Sequence, residues 1–505
     1  MPILDAATVT RDVQRAADVV VVGTGAGGAV VAATLAEAGA RVLLLEEGAY
    51  HRTEEFTARP LDMVARLYRN RGLTATLGVP TIGLPLGCTV GGTTAINSGT
   101  CFPAPDYVLE QWAREEGLDD YAPAHLAPRF EEVSRRLGVR PVPEELLGPN
   151  AQLFRKGAEA LGFAGQPIPR NARGCVGTGV CAFGCPTGAK QSTNLSYVPA
   201  ALEAGAELVT NARVRRVLLD GRRAIGVEAN LLDERGVSNG RSLRALGNAT
   251  VIATGAVHTP VLLRTSGVRH PALGRNLRIH PAARVGALFD EPVRGWIGVP
   301  QSYHVSQFER EGIFIQGIFA PPAIEAPTVP GIGREHRERM RRFSQLGSFG
   351  ALISDAGTGR VAAAPGGQPL VLYSLAPADR RRLARAVSLT AQAWFAAGAT
   401  EVFPSVRSRP VLRSIAEARA LADDEIPAKY FDVMAFHPMG TARMSADPAR
   451  GVVGSSGGVH GYEGLYVADA SVLPSSTRRN PQLTIMAVAT KIAQDLTHAL
   501  ADPAP

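Results

Sequence analysis

Two short apolar runs near the amino terminus carry the clearest pattern in the chain. Asp18-Val19-Val20-Val21-Val22 is a continuous β-branched run, and Arg41-Val42-Leu43-Leu44-Leu45 is a second. Neither alternates with polar residues, which is the pattern of strands buried on both faces. Between them Gly23-Thr24-Gly25-Ala26-Gly27-Gly28 opens into a small-residue helix, Ala29 to Ala38, and the second run ends in Glu46. The apolar stretch from Val19 to Ala36 reaches the length at which a membrane span has to be considered. Glycine and threonine at its centre favour a strand, a turn and a helix instead.

Strand, glycine turn, helix, strand and terminal acid in register predict a dinucleotide-binding unit. Gly23 permits the tight turn, Gly25 lets backbone N–H groups approach a pyrophosphate, and Gly28 lets the helix pack close to the strand, with Ala26 and Gly27 completing the loop. The anion would sit at the helix N-terminus, where unpaired N–H groups and the helix dipole favour negative charge. Glu46 can accept from ribose hydroxyls. No second glycine fingerprint follows a later strand, so one dinucleotide is expected.

Further patterns follow. Gly87 to Asn97 holds the pair Gly91-Gly92 followed by small hydroxyl residues, as a chain needs in order to pass close to a planar ligand. Val251-Ile252-Ala253-Thr254-Gly255-Ala256 reads as a buried strand running into a turn, then Pro260 and a short helix from Val261 to Thr265. Gly274-Arg275-Asn276-Leu277 and His280-Pro281 come next, then His437-Pro438-Met439-Gly440-Thr441, a strand Leu465 to Ala468, and Asp469-Ala470-Ser471. Asn480-Pro481 opens a helix from Gln482 to about Leu500; proline suits a first helical turn, where its missing N–H costs nothing, so Asn480 is placed at the N-cap. Short alternating runs between about Ala282 and Ala435, such as Gly312 to Gln316, predict a second sheet. Ser354 to Arg360 reads as a hairpin turn, Arg334 to Arg342 as a solvated mixed-sign helix face or mobile loop, and Arg380-Arg381-Arg382 as the lead-in to an amphipathic helix through Leu383, Val387 and Trp394.

Composition narrows the class without choosing a substrate. The 505 residues allow two to four domains, and 45% hydrophobic with 20% charged residues is globular composition. A net charge of +7, almost all of the positive side arginine, is too small and scattered to point to nucleic acid. The opening residues carry no secretory pattern, so a cytoplasmic protein is expected. Five cysteines argue against a disulfide framework.

The ordered set of motifs resembles the glucose–methanol–choline (GMC) FAD-dependent oxidoreductases along essentially the whole chain. The resemblance implies an α/β protein. Its Rossmann-type FAD-binding domain would be assembled from discontinuous segments (1–105, 190–281 and 437–505), beside an α+β substrate domain with a mostly antiparallel sheet (106–189 and 282–436). It implies His437 as catalytic base, working near the ordinary histidine pKa of about 6.5, and Asn480 as its partner, where some relatives carry a second histidine. His437 would take the hydroxyl proton of an alcohol while hydride leaves the adjacent carbon for flavin N5, and Asn480 would orient the oxygen. Gly23, Gly25, Ala26, Gly27, Gly28, Glu46, Gly91, Gly92, Asn97, Val214, Asp469, Ala470 and Pro481 are the implied cofactor contacts, with Pro481 starting the helix aimed at the flavin. The expected substrate is an alcohol or sugar, and the electron acceptor O2, a quinone or another carrier. Neither nucleic-acid binding nor peripheral membrane contact is expected. A lyase or decarboxylase that retains FAD, and a non-catalytic FAD electron-transfer partner, are the competing readings.

Cys175, Cys181 and Cys185 have the spacing C-x5-C-x3-C-P. A compact loop with reduced thiols, a disulfide between two of the three, and a metal or cluster site all remain open, although neither iron–sulfur nor zinc spacing is matched; no metal site is assigned. Similar cysteine-bearing segments occur in long-chain alcohol oxidases and some bacterial dehydrogenases of the family, which points to a long-chain-alcohol-oxidase/choline-dehydrogenase-like subgroup. Some relatives tether FAD through a histidine in the glycine loop. Ile96 occupies that place here, so FAD is expected to be non-covalent. Acid precipitation of the purified protein should therefore leave its flavin in the supernatant; yellow colour retained in the pellet would refute this.

Overall fold

The computed structural model describes residues 3–501. Val13–Val22 lies at the middle of a sheet, parallel to Val42–Leu45 on one side and to Ser238–Ile252 on the other. Glu207–Thr210 and then Ile3–Asp5 extend the first side, and Leu465–Val467 pairs in parallel with the end of Ser238–Ile252. This is the doubly wound arrangement, in which the strand order reverses beside Val13–Val22 and leaves a crevice at the carboxyl ends of the strands. Val19 to Val22 and Val42 to Leu45 are buried on both faces, as their unbroken apolar runs predict. The helix Gly28–Glu37 is buried from Gly28 to Ala33, which explains why small residues surround it on every side rather than forming one stripe. The lower part of Ser238–Ile252 also joins an antiparallel meander with Arg223–Leu232 and Ala212–Asp220.

A second sheet is antiparallel throughout, in the order Glu401–Phe403, Ala282–Leu288, Leu346–Ile353, Ile313–Gly317, Tyr303–Val305 and Gly165–Pro167. One face packs on the helix Pro377–Ala396, where Trp394 meets Phe154 edge-on at 4.8 Å and Phe154 stacks on Phe349 at 3.7 Å. The opposite face carries Ala282, Phe314 and Leu352, which pack around Phe102 from the nucleotide side.

Several local expectations change. The helix after Ile252 runs from Gly255 to Thr265 and contains Pro260 rather than following it. Proline at this position frees the carbonyl of Ala256 four residues back, and the Thr441 hydroxyl donates to that oxygen at 2.6 Å. A residue of the His437 segment thus repairs the helix. Arg380, Arg381 and Arg382 lie within the first turns of Pro377–Ala396, not ahead of it, and Arg382 donates to the Glu311 and Ser354 carbonyls. The Arg334–Arg341 helix is solvated in part only, since Arg339 is buried and pairs with Glu335 and Glu401. The two cores also divide the chain differently from the motif boundaries. Val108, Leu109, Trp112, Leu126 and Leu137 belong to the nucleotide-side core, whereas Ile82 and Leu84 belong to the substrate-side core. The apolar faces of the helices Asp106–Glu116 and Pro123–Leu137 join the nucleotide-side core, the second of them against the helix Gln482–Ala501, a partner that periodicity alone does not name. No helix among the described residues is long and apolar enough to cross a membrane.

Truncating Trp394 to alanine removes the shared contact of Phe154, Phe289 and Phe349. It should cost about 3–5 kcal/mol, read as a lower thermal midpoint by circular dichroism; an unchanged midpoint would show that the cluster contributes little.

Candidate active site

The glycine turn sits at the carboxyl ends of the central strands, and close backbone approach dictates its residues. A Cβ on Gly23, which has φ +104°, would lie 2.3 Å from the Ala253 carbonyl oxygen; one on Gly27 would lie 1.7 Å from that of Ala468, and one on Gly28 2.0 Å from that of Gly23. Gly25 is different, with nothing within 4 Å of where its Cβ would stand. The Gly91-Gly92 loop closes over this spot. The Gly91 N–H donates to the Thr24 hydroxyl at 2.9 Å, which donates to Glu46 at 2.6 Å, and a Cβ on Gly92 would come within 3.1 Å of Gly25 Cα. Thr193, which the sequence reading missed, donates to the Thr24 carbonyl at 2.8 Å.

The remaining expected cofactor contacts are placed as follows. Glu46 also accepts from the N–H groups of Thr24 (3.1 Å) and Gly48 (2.9 Å), so much of its capacity is spent on the loop; burial raises its pKa. Asp469 accepts from Gly255 N–H, the Thr259 hydroxyl and Ser471 N–H, so its carboxylate joins protein segments, and burial raises its pKa too. Ala470 receives the Gly440 N–H at 3.0 Å, and Ala26 packs against the nucleotide-side core. Asn97 turns its amide to Gln482 and accepts from Gly99 N–H. Val214 follows Arg213, whose Nε donates to Glu47 next to Glu46, so the strand Ala212–Asp220 runs beside the acid end of Val42–Leu45. The Ile96 side chain is buried among Phe56, Met63, Leu67 and Phe183.

Two distant segments converge on His437. Asn480 Nδ2 lies 3.2 Å from His437 Nε2, across 43 residues of chain. The helix starts at Gln482 and its first bond goes from Ile485 N–H to the Pro481 carbonyl, which puts Pro481 at the N-cap and Asn480 one residue ahead of the position expected. The Asn480 side chain is thereby free of the helix, and its Oδ1 is buried without a partner. The other ring nitrogen, His437 Nδ1, lies 3.2 Å from His280 Nδ1, and His280 Nε2 lies 2.6 Å from the Ser476 hydroxyl. Burial holds His437 down at about 4, below the ordinary value expected from sequence, and holds His280 well below its ordinary value, with the neighbouring His437 and Arg478 adding to the effect. Both rings are therefore neutral at pH 7.

His280 stood in the sequence only as part of a His-Pro pair, and its contact with His437 spans 157 residues. The backbone there is left-handed, φ 52°, and Asp355 secures it by accepting from Ile279 N–H at 2.8 Å and His280 N–H at 3.4 Å. Tyr373 donates to the same carboxylate, whose pKa burial pushes up to about 6, while Arg278 donates to the carbonyls of Asp355, Ala356 and Gly357. The turn expected to be only a hairpin corner thus anchors the backbone at His280.

The cysteine segment reaches the site through Lys190. Its buried ammonium donates to the carbonyls of Ala95 (2.9 Å), Asn97 (2.6 Å) and Cys181 (2.8 Å), tying the glycine loop to the cysteine-bearing turn; burial lowers it to about 8. Cys181 accepts from Arg170 at 3.2 Å and Cys185 meets the Thr187 hydroxyl at 3.4 Å. The five thiols are unbridged in this structure, and among the described residues no three His, Cys, Asp or Glu side chains group as metal ligands.

A doubly wound sheet set against a second, antiparallel sheet, with a histidine and an asparagine in contact beside them, is the frame of the site. Residues 18–59 match a family model described as an FAD binding domain, and residues 64–282 and 358–489 match models described as GMC oxidoreductase. The chain belongs to the GMC oxidoreductase family. It is 43% identical to a GMC-type oxidoreductase of Mycobacterium tuberculosis over 97% of this chain and 76% of that protein. It is 30% identical to a long-chain-alcohol oxidase of Arabidopsis thaliana over 96% of this chain and 67% of that one. The crystal structure of pyridoxine 4-oxidase from Mesorbium loti superimposes with a TM-score of 0.72 at 19% identity, covering 95% of this chain and 99% of that one, and shares the fold.

The open side of Gly25 and the unpartnered Asn480 Oδ1 suit a bound FAD, one where the pyrophosphate would lie and the other in the crevice that faces it. Gly25→Ala should fold as the parent does, because its Cβ meets no protein atom, yet be purified with markedly less flavin; full flavin content would contradict this use of the space.

Proposed function

We propose that the protein oxidises a small-molecule alcohol or sugar CH–OH to a carbonyl, with His437 as base and Asn480 orienting the substrate oxygen. The observation that carries this reading is the 3.2 Å pair of His437 Nε2 and Asn480 Nδ2, with a neutral imidazole. A hydroxyl that replaced this contact, the two groups parting to admit it, would accept from the Asn480 amide and donate to Nε2, which would align the carbon beyond. His437 then takes the hydroxyl proton as the C–H bond is broken, because expelling hydride from a neutral alcohol is too uphill. FAD, when bound, supplies the hydride acceptor and the route of the electrons to O2, a quinone or another carrier.

The residues that would hold FAD non-covalently are the Gly23 to Gly28 turn, Gly91, Gly92 and the backbone around Asp469, Ala470 and Pro481, with Glu46 and Val214 on the nucleotide side. Asn97 would act through its contact with Gln482 in the first turn of the C-terminal helix. Ile96, buried in an apolar cluster, supports a cofactor that is not tethered there.

His437→Ala should abolish bleaching of the flavin by a panel of alcohols under anaerobic conditions, a loss of about 10²–10⁴-fold, while leaving flavin content unchanged. A base must be unprotonated to act, so kcat/KM should stay flat from neutral pH downward and fall only as pH drops through about 4. Bleaching by the His437→Ala variant at the parental rate would remove alcohol oxidation through this base and favour a lyase or an electron-transfer role.

A further inference from the structure

The contacts around His437 form one chain of four groups. Asn480 Nδ2 meets His437 Nε2 at 3.2 Å, His437 Nδ1 meets His280 Nδ1 at 3.2 Å, and His280 Nε2 meets Ser476 Oγ at 2.6 Å. Two nitrogens that face each other need one proton between them. Each neutral imidazole also carries only one N–H. The protons along the chain therefore all point one way or all point the other.

In the first order the Asn480 amide donates to His437 Nε2, His437 Nδ1–H donates to His280 Nδ1, and His280 Nε2–H donates to Ser476 Oγ. In the reverse order Ser476 donates to His280, His280 Nδ1–H donates to His437, and His437 Nε2–H needs an acceptor. Asn480 would then have to turn its amide over, which would point its oxygen at His437. Only the first order leaves a lone pair on His437 Nε2, the atom that faces Asn480.

We infer that His280 is a positioning residue: its Nδ1 accepts the His437 Nδ1–H, which fixes the His437 tautomer with Nε2 bare and holds the imidazolium once Nε2 has taken a proton. The inference rests on the reading of His437 as base. No further proton leaves the chain in this step. The substrate proton ends on His437 Nε2, and the positive charge is steadied by the Nδ1–H···Nδ1 bond. The surroundings favour this arrangement over a second charge on His280. Arg278 and Arg478 both lie close enough to act on that ring, which is fully buried, while the Asp355 carboxylate is occupied with backbone N–H groups and Tyr373. The left-handed backbone at His280 aims the ring, and Ser476 Oγ, which also accepts from Arg478 N–H at 3.3 Å, fixes its far end.

The test compares His280→Asn with His280→Gly in the FAD-loaded protein. Both residues tolerate a left-handed backbone, but only asparagine keeps an acceptor near the position of Nδ1. Nitrogen-15 NMR of the histidine rings, with His437 assigned from its disappearance in His437→Ala, should show His437 protonated at Nδ1 and bare at Nε2 in the parent. His280→Asn should preserve that state and His280→Gly should lose it. In stopped-flow flavin reduction by an alcohol, His280→Gly should be slower by about 100-fold, with asparagine recovering much of the loss. Ser476→Ala, which leaves the His280 backbone untouched, should shift the same resonances in the direction of His280→Gly.

A parent with the proton on Nε2, or a His280→Gly variant that keeps the parental tautomer and rate, would overturn the role of His280. If His437→Ala reduces its flavin as fast as the parent, it is instead the reading of His437 as base that fails. Should glycine at 280 prevent folding, the asparagine and Ser476→Ala resonances decide alone, because an unchanged tautomer in Ser476→Ala together with an altered one in His280→Asn contradicts the chain.

Discussion

The buried carboxylate of Asp469 holds three stretches of chain at one point. It accepts from the first N–H of the Gly255–Thr265 helix, from the Thr259 hydroxyl one turn on, and from Ser471 beyond the last parallel strand. A carboxylate at a helix N-terminus is favoured by the helix dipole and by otherwise unpaired N–H groups, and these bonds offset the cost of burying its charge. One residue before it, the Ala468 carbonyl presses against Gly27 so closely that no side chain fits between them. The glycine turn, the Gly255 helix and the C-terminal segment are thereby fixed relative to one another, although Gly27 and Ala468 lie more than four hundred residues apart.

The segments that carry His437 and Asn480, the proposed base and its partner, are tied to the Asp469 junction. Asn480 is carried by the turn that follows Asp469 and precedes the last helix, and His437 by the segment whose Thr441 completes the Pro260 helix. His280 arrives at the start of the second sheet, and the Asp355 turn holds its strained backbone. The histidine pair therefore forms where the two sheets meet. His280 is fully buried and His437 half-buried, and desolvation holds both rings neutral.

Much of this was legible in the chain, and the gaps have physical causes. The nucleotide unit could be read because each of its requirements is local: unbroken β-branched runs, glycines where backbone meets backbone, and an acid at the strand end. The Pro260 helix was shortened in the reading because proline alone says where a hydrogen bond is lost, and only the fold brings Thr441 to replace it. Helices 106–116 and 123–137 show an apolar face, yet a face does not name the core it joins. His280 and Asp355 looked like parts of ordinary turns because their meaning lies in contacts far along the sequence. The pKa of His437 was placed at its ordinary value because burial is not written in neighbouring residues.

The sequence by itself determined the family, the doubly wound nucleotide unit and the residue types at the crevice, since close backbone approach and strand burial leave their mark on consecutive residues. Only the tertiary structure decided which polar groups face His437, that Glu46 and Asp469 spend their oxygens on holding loops together, and that the cysteine turn is tied to the glycine loop through Lys190. Those choices depend on which distant groups share a buried space. Burial makes every unpaired donor costly, so the fold selects their partners after the local elements have formed.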